Sequence, residues 1–566
     1  MMNPAMPSTS TNTQSTRQLR LVFYAAWFFV SLVQAAGTEL FDDEAYYWVY
    51  SRFLDWGYFD HPPMIAVLIK LGTAILPGEL GLRFFIVLMG TATIALIEYL
   101  TQPKDIKLFF AIVLNMAVLQ IGGIIAVPDI PLLFFTALFF IAYQAFDQKN
   151  TLITALFLAL VIALLLYSKY HGILIIFFTI ISNPSILARW KSMLVILLSV
   201  GLFMPHVIWQ ILHGLPSINY HLFERLSPPY KLSFTADYLL GQLLIAGPLV
   251  GWLIIWAALK NRYANATEKA MYWSLIGTYG LFFLSSFRSR TEANWTILLM
   301  APLIVLSYQY LSQHKNKARW IYRLLPYSIA LVLLVRVYMI LDIPALKFMP
   351  KDEFHKNREW AAAIKKKANG LPVVFTNSYQ RASKYWFYAG DTSFSLNTHR
   401  YRRSNYNFWP MEEQLQGRRL MVFGSMGTAA MKDSIQTPRM LLAAEATDDF
   451  VSFGAVQLDG GDLYRDDKGF VNVAMKPGYG SRQTMERAMA KHPEIILIIY
   501  RSGKQDPILF PTGRIVGHDS EYELNFRLQL PPLEEKKYTI RWGLKGSFSE
   551  PTINSRTYSL THSVSK

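Results

Sequence analysis

Residues 41–63 read FDDEAYYWVYSRFLDWGYFDHPP, with three consecutive carboxylates, Asp42, Asp43 and Glu44, at the mouth of an apolar segment. Crowded, partly desolvated carboxylates are the groups that general-base catalysis uses. The same acids would equally suit the first turn of a helix beginning near Ala45, where the backbone dipole favours negative charge. The residues alone leave these two readings even. Aromatics follow closely, among them Tyr46, Tyr47, Trp48, Tyr50, Trp56, Tyr58 and Phe59. Such rings form a belt at a membrane interface, the ordinary reading, and they also offer stacking faces to a sugar.

Positioning this loop falls to membrane helices. The chain has 566 residues, 52% hydrophobic and only 17% charged, and its apolar runs are concentrated in residues 20–343. Crossing a bilayer takes about 20 mostly apolar residues. Eleven segments qualify: 21–38, 80–100, 107–127, 130–146, 151–168, 171–188, 192–212, 238–259, 270–287, 294–311 and 321–342. The first is long for a secretion signal and reads as a span. The run Met64–Leu76 is too short to cross and carries Lys70, so it is expected to lie in the interface.

With the N-terminus cytoplasmic, the inner loops collect fourteen Lys and Arg between Arg17 and Arg323, against eight outside between Arg52 and Arg290. That is the bias of the positive-inside rule. The same frame places the acidic loop and everything after residue 343 outside the cytoplasm. The net charge of +16 is then a matter of cytoplasmic anchors, since no basic stripe accompanies a nucleic-acid-binding fold. The absence of cysteine excludes disulfides, thiolate nucleophiles and Cys-ligated metals.

The expected organisation is a disordered N-terminus over 1–20, a polytopic α-helical membrane domain over 21–343, an α/β region over 344–450 and a β-rich, β-sandwich-like module over 451–566. Glu353–Lys367 reads as a helix and Pro372–Thr376 as a strand; 495–500, 522–530 and 538–544 read as later strands. The loop 213–236 is polar and aromatic, with Pro228-Pro229 enforcing extended chain, and reads either as a lid or as a plain connection.

Four motifs carry a family resemblance. They are Asp43-Glu44-Ala45-Tyr46-Tyr47 followed by Asp60-His61-Pro62-Pro63, then Val127-Pro128-Asp129, then Lys169-Tyr170-His171-Gly172, and finally RSRTEANW over 288–295. In this order and on one face, they resemble GT-C glycosyltransferases of the protein-mannosyltransferase superfamily. The bacterial members are the more similar, with the lipid A aminoarabinose transferase among their relatives. The resemblance implies a GT-C fold and inverting transfer of a sugar from a polyprenyl-phosphate donor to a glycan, glycolipid or protein acceptor. Asp43 matches the family's catalytic base, and Asp129 its second acidic position. Glu44, Asp60, His61, Lys169, Tyr170, Arg288, Arg290, Glu292 and Asn294 are the implied donor-binding residues. Relatives often carry Glu-Lys where this chain has Asp60-His61, and neutral His is a poorer anion partner than Lys. A phosphate leaving group needs positive charge, which Lys169, Arg288 and Arg290 would supply.

Each of these residues also has an ordinary reading: a snorkelling Lys169, an Arg290–Glu292 loop pair, an Asn294 helix cap. Asp43, Asp60, His61, Asp129, His171 and Glu292 would suit a divalent cation, although no fixed ligand spacing assigns one. The stretches 377–380 and 399–409 are expected to bind acceptor or to dock on the membrane part. A transporter or lipid flippase is the alternative function. It would call for internal repeats and broken helices, and neither is legible in the sequence.

Overall fold

The structure is a computed structural model. It describes residues 9–220, 230–344, 352–426, 431–466, 468–477, 493–500, 507–514, 524–530, 537–546 and 550–562. Residues 221–229 of the expected lid lie outside that set. The chain forms two compact units. One is Met1–Leu54, His61–His206 and Pro229–His355; the other is Asp55–Asp60, Val207–Pro228 and Lys356–Lys566.

The helices in chain order are α1 (Thr9–Gly37), α2 (Asp42–Arg52), α3 (Met64–Ile75), α4 (Gly78–Thr101), α5 (Ile106–Asn115), α6 (Ala117–Ile121), α7 (Asp129–Lys149) and α8 (Leu152–Ser168). They continue as α9 (Gly172–Ser182), α10 (Trp190–Leu212), the single-turn α11 (Pro216–Asn219), α12 (Leu232–Ala246), α13 (Gly251–Lys260), α14 (Ala266–Ser286), α15 (Met300–Gln313) and α16 (Lys315–Ile340). Every segment expected to span is helical, so the chain is a multi-pass membrane protein, but the count of eleven spans is not confirmed. Among the described residues six helices are long and apolar enough to cross, and eight if each of two bent pairs counts as one. α1 begins at Thr9, inside the stretch expected to lack order, because an apolar helix propagates into its flank at little cost once nucleated.

The two bends have local causes. α5 turns by 77° into α6, at Asn115-Met116. Asn115 donates to Ala111 O and Ile321 O and accepts from Ser328 Oγ, so a polar side chain holds the corner. α12 turns by 87° into α13 across Gly247-Pro248. Gly247 takes φ 141°, open to glycine and strained for other residues, and Pro248 offers no N–H to continue the helix. The two helices touch backbone to backbone there: a Cβ on Gly251 would lie 2.0 Å from Leu243 O.

The second unit carries two sheets. β1 (Val373–Thr376), β2 (Ser393–Leu396), β3 (Leu420–Gly424), β4 (Asp433–Gln436) and β5 (Leu441–Thr447) pair in the order β2-β1-β3-β5-β4. β1 runs parallel to β2 and β3, and β5 antiparallel to β3 and β4. The helices α17 (Asn357–Ala368) and α18 (Tyr379–Ala389) flank β1 in sequence, and Trp360 stacks on Phe375 at 5.8 Å in their common core.

The second sheet comprises β6 (Leu458–Asp459), β7 (Leu463–Arg465), β8 (Phe470–Pro477), β9 (Glu494–Tyr500), β10 (Ile508–Arg514), β11 (Leu524–Gln529), β12 (Lys537–Lys545) and β13 (Tyr558–His562). Its order is β10-β9-β12-β13-β7-β8-β11, with β6 on β8. Where a two-layer sandwich is expected, the strands pair in one continuous path. Leu497, Ile499, Ile540 and Trp542 are fully buried in a cluster that also takes Val471, Leu528 and Leu560 from the other strands, so the sheet wraps its own core.

Replacing Gly251 by Ala forces the α12–α13 corner apart and is expected to cost about 1–3 kcal/mol. Thermal unfolding in detergent should register a lower midpoint than wild type.

Candidate functional site

The acidic loop forms the first turn of α2. Glu44 is fully buried, and its carboxylate is gripped by Arg83 of α4 through Nε at 2.7 Å and Nη2 at 2.5 Å. The Phe41 and Ala126 amides donate to the same carboxylate at 2.9 and 2.7 Å. Arg83, itself 1% exposed, also donates to Ala35 O, Thr38 O and Glu39 O. Glu44 was expected to hold donor; its lone pairs are engaged by the protein instead. Asp42 is buried and its amide lies 3.5 Å from Glu353 Oε2, whereas Asp43 is the half-exposed member of the three.

The aromatics after the acids are mostly core. Tyr46, Tyr47 and Tyr50 are 1%, 6% and 0% exposed, and Tyr50 packs edge-on against the other two, so neither a belt nor a sugar platform describes them. His61 sets its ring against Tyr47 at 5.7 Å.

A second cluster brings three of the motifs together. Asp129 opens α7 after Pro128, and Lys169 caps the C-terminal end of α8 in extended conformation. Lys169 Nζ lies 2.9 Å from Asp129 Oδ1, with both residues about 95% buried. Asn294 Nδ2 approaches both oxygens of Asp129 at 3.5 Å. Asn294 sits in the tight turn Ala293–Leu299, which Gln242 of α12 anchors by accepting from Thr296 at 2.5 Å. Beside it His171 packs against Trp295 and Phe282, each at 5.6 Å, and Tyr170 shares a hydrogen bond of 3.0 Å with His206 Nε2. The arrangement is a buried cation and carboxylate at a helix N-terminus, which suits binding of a negatively charged group.

The remaining candidates lie differently. Arg290 and Glu292 form a 3.3 Å pair with side chains 64% and 45% exposed, a contact of the weak surface type. Arg288 is exposed. Asp60 belongs to the second unit, where Arg402 holds it at 2.5 Å while donating to Tyr379 OH at 2.9 Å. Asn405 accepts from the Phe59 amide at 2.6 Å, and Trp209 donates to Asp55. The basic-aromatic stretch 399–409 therefore secures the segment 55–60 within that unit. Burial raises the Tyr58 phenol well above its ordinary value and keeps it protonated. Among the described residues the six sequence candidates for a metal do not assemble a ligand set; the group that does is Asp342, Asp352 and His355.

Arg83, His206 and Gln242 were missed as site residues. Arg83 had a signal: a lone cation in an apolar helix must find a buried acid. Replacing it by Gln strands the Glu44 charge and is expected to cost roughly 3–5 kcal/mol. The double change of Glu44→Gln with Arg83→Gln should be markedly less destabilised than Arg83→Gln alone, as read by unfolding midpoints of all four proteins.

Comparison with known proteins gives a consistent picture. Residues 60–209 match the family profile described as dolichyl-phosphate-mannose-protein mannosyltransferase. A curated relative, the lipid A galacturonosyltransferase RgtD of Rhizobium johnstonii, is 23% identical over 288 residues, covering 47% of this chain. The match spans only 60% of that relative's length. The apo structure of ArnT from Cupriavidus metallidurans superposes with a TM-score of 0.56 at 12% identity, over 76% of this chain and 98% of that one. The structure of the same protein bound to undecaprenyl phosphate gives 0.54 at 11% identity, over 75% and 97%. The chain is thus similar to this mannosyltransferase family over residues 60–209, and it shares the fold of ArnT.

Proposed function

We propose that the protein is an inverting glycosyltransferase that moves a sugar from a polyprenyl-phosphate carrier onto a lipid A-type glycolipid at the extracytoplasmic face of the inner membrane. The observation that carries this is the buried Asp129–Lys169–Asn294 cluster, in which three separated motifs converge at the N-terminus of α7. The names of the relatives point the same way, one a lipid A galacturonosyltransferase and one a fold that holds undecaprenyl phosphate.

In this reading an acceptor hydroxyl attacks the anomeric carbon from the face opposite the phosphate. The new C–O bond forms as the bond to the phosphate oxygen breaks, and Asp43 takes the hydroxyl proton. The departing polyprenyl phosphate gains negative charge, which Lys169 meets by leaving Asp129, with Arg288 and Arg290 adding charge from the surface. Glu44 acts through Arg83 to set the turn on which Asp43 rides. The stretch 399–409 and the β-rich module would serve acceptor recognition.

One observation favours a second reading, a lipid flippase: the two bent helix pairs are of the broken-helix kind that transporters use. Product analysis separates the two. Purified protein given undecaprenyl-phosphate sugar and lipid A should release undecaprenyl phosphate and yield glycosylated lipid A, whereas a flippase would release neither. Asp43→Asn is expected to lower turnover by about 10²–10⁴-fold with donor binding near wild type, and full activity in this variant would overturn the mechanism. Lys169→Met should weaken donor binding and turnover together. For orientation, a reporter active only outside the cytoplasm and fused after Lys566 should be active; silence there would reverse the assignment of sides.

A further inference from the structure

The end of the last membrane helix and the segment leading out of the same unit meet at a group of ligating side chains that the transfer chemistry does not use. Asp342 lies two residues beyond α16, and Asp352 and His355 follow at the end of the unit. One ligand atom from each lies within 4.8 Å of the others. His355 is 6% exposed, and its Nδ1 is aimed into the group, 2.9 Å from both carboxylate oxygens of Asp352. The Phe354 amide fixes that carboxylate by donating to Oδ1 at 3.1 Å. The other face of the imidazole gives a second observation: Nε2 is buried and has no hydrogen-bond partner among the described residues, while the ring meets Tyr338 edge to face at 5.2 Å.

A neutral imidazole is poorly served by these surroundings. With the proton on Nδ1, donated to Asp352, Nε2 is a buried lone pair without a donor. With the proton on Nε2, the Nδ1 lone pair faces an anionic carboxylate. A cation bound at Nδ1 removes the second conflict, because it turns the Nδ1 lone pair into a ligand and keeps the proton on Nε2, away from the carboxylate. The spacing agrees: two ligands at right angles on a small divalent ion, with bonds of about 2.1 Å, sit about 3 Å apart.

We propose that Asp342, Asp352 and His355 bind a divalent transition cation that ties the exit of α16 to the chain ahead of the second unit. Two carboxylates with one imidazole suit Mn²⁺ or Zn²⁺ better than Mg²⁺, which prefers all-oxygen sets. Ligands from two stretches flanking residues 345–351 make the ion a clasp. The site is separate from the Lys169 cluster, and its existence does not depend on the transfer reaction proposed above.

Full-length protein in nanodiscs, stripped with chelator and titrated with Mn²⁺, should take up one ion per chain with a raised unfolding midpoint. The bound Mn²⁺ should show a nitrogen coupling from one imidazole in pulsed electron paramagnetic resonance. Asp352→Asn and His355→Gln should each weaken uptake at least about 10–100-fold, with His355→Gln also losing the nitrogen coupling. Absence of stoichiometric uptake by Mn²⁺ and Zn²⁺ alike, or uptake without a nitrogen coupling in the wild-type protein, would overturn the site in favour of a plain His–Asp hydrogen bond. Binding by both variants as tight as that of wild type would overturn it too.

Discussion

The membrane unit depends on one buried ion pair. Two charges sealed from water cost several kcal/mol each in lost hydration, and they are tolerated only when geometry and extra hydrogen bonds make up the loss. Arg83 and Glu44 meet that condition through a two-pronged contact, three carbonyls on the cation and two amides on the anion. Those partners come from the end of α1, the start of α2, α4 and the strand of chain three residues ahead of Asp129. A single pair therefore registers four pieces of backbone, including both that carry the proposed catalytic acids.

This also divides the labour among three adjacent carboxylates. On one helical turn, residues one apart point to different sides, so Glu44 faces inward to its arginine while Asp43 keeps partial access to solvent. The crowding that made the acids conspicuous in the sequence is relieved by this split. An acid committed to structure sits next to the one proposed as the base, on the same helical turn.

Much of this was legible beforehand. Long apolar runs marked the membrane helices, and the Pro-Asp, Lys-Tyr and Asn-Trp motifs marked residues that converge at Asp129, because each stands at the end of an apolar segment where polar groups are costly unless paired. What could not be read were long-range partners. Nothing local says that Arg83 belongs to Glu44, or that Asp60 belongs to Arg402 some 340 positions later. The bends were also hidden, since hydropathy averages over a corner such as Asn115-Met116 without registering it. The tyrosines misled for a related reason: an amphipathic ring fits an interface and a packed core equally well, and only neighbours decide.

The order of the second sheet carries a consequence for biogenesis. Its two halves, β10-β9-β12 and β7-β8-β11, join through β13, which the chain makes after every other strand of the sheet. During translation neither half can close on the other until residues 558–562 have emerged and, in the proposed orientation, crossed the membrane. Until then each half presents an open edge of unpaired amides and carbonyls, ready to pair with a foreign strand. The nascent protein therefore passes through a period of exposure set by the rate of elongation and translocation rather than by its own folding speed, and a holdase chaperone would find its substrate there.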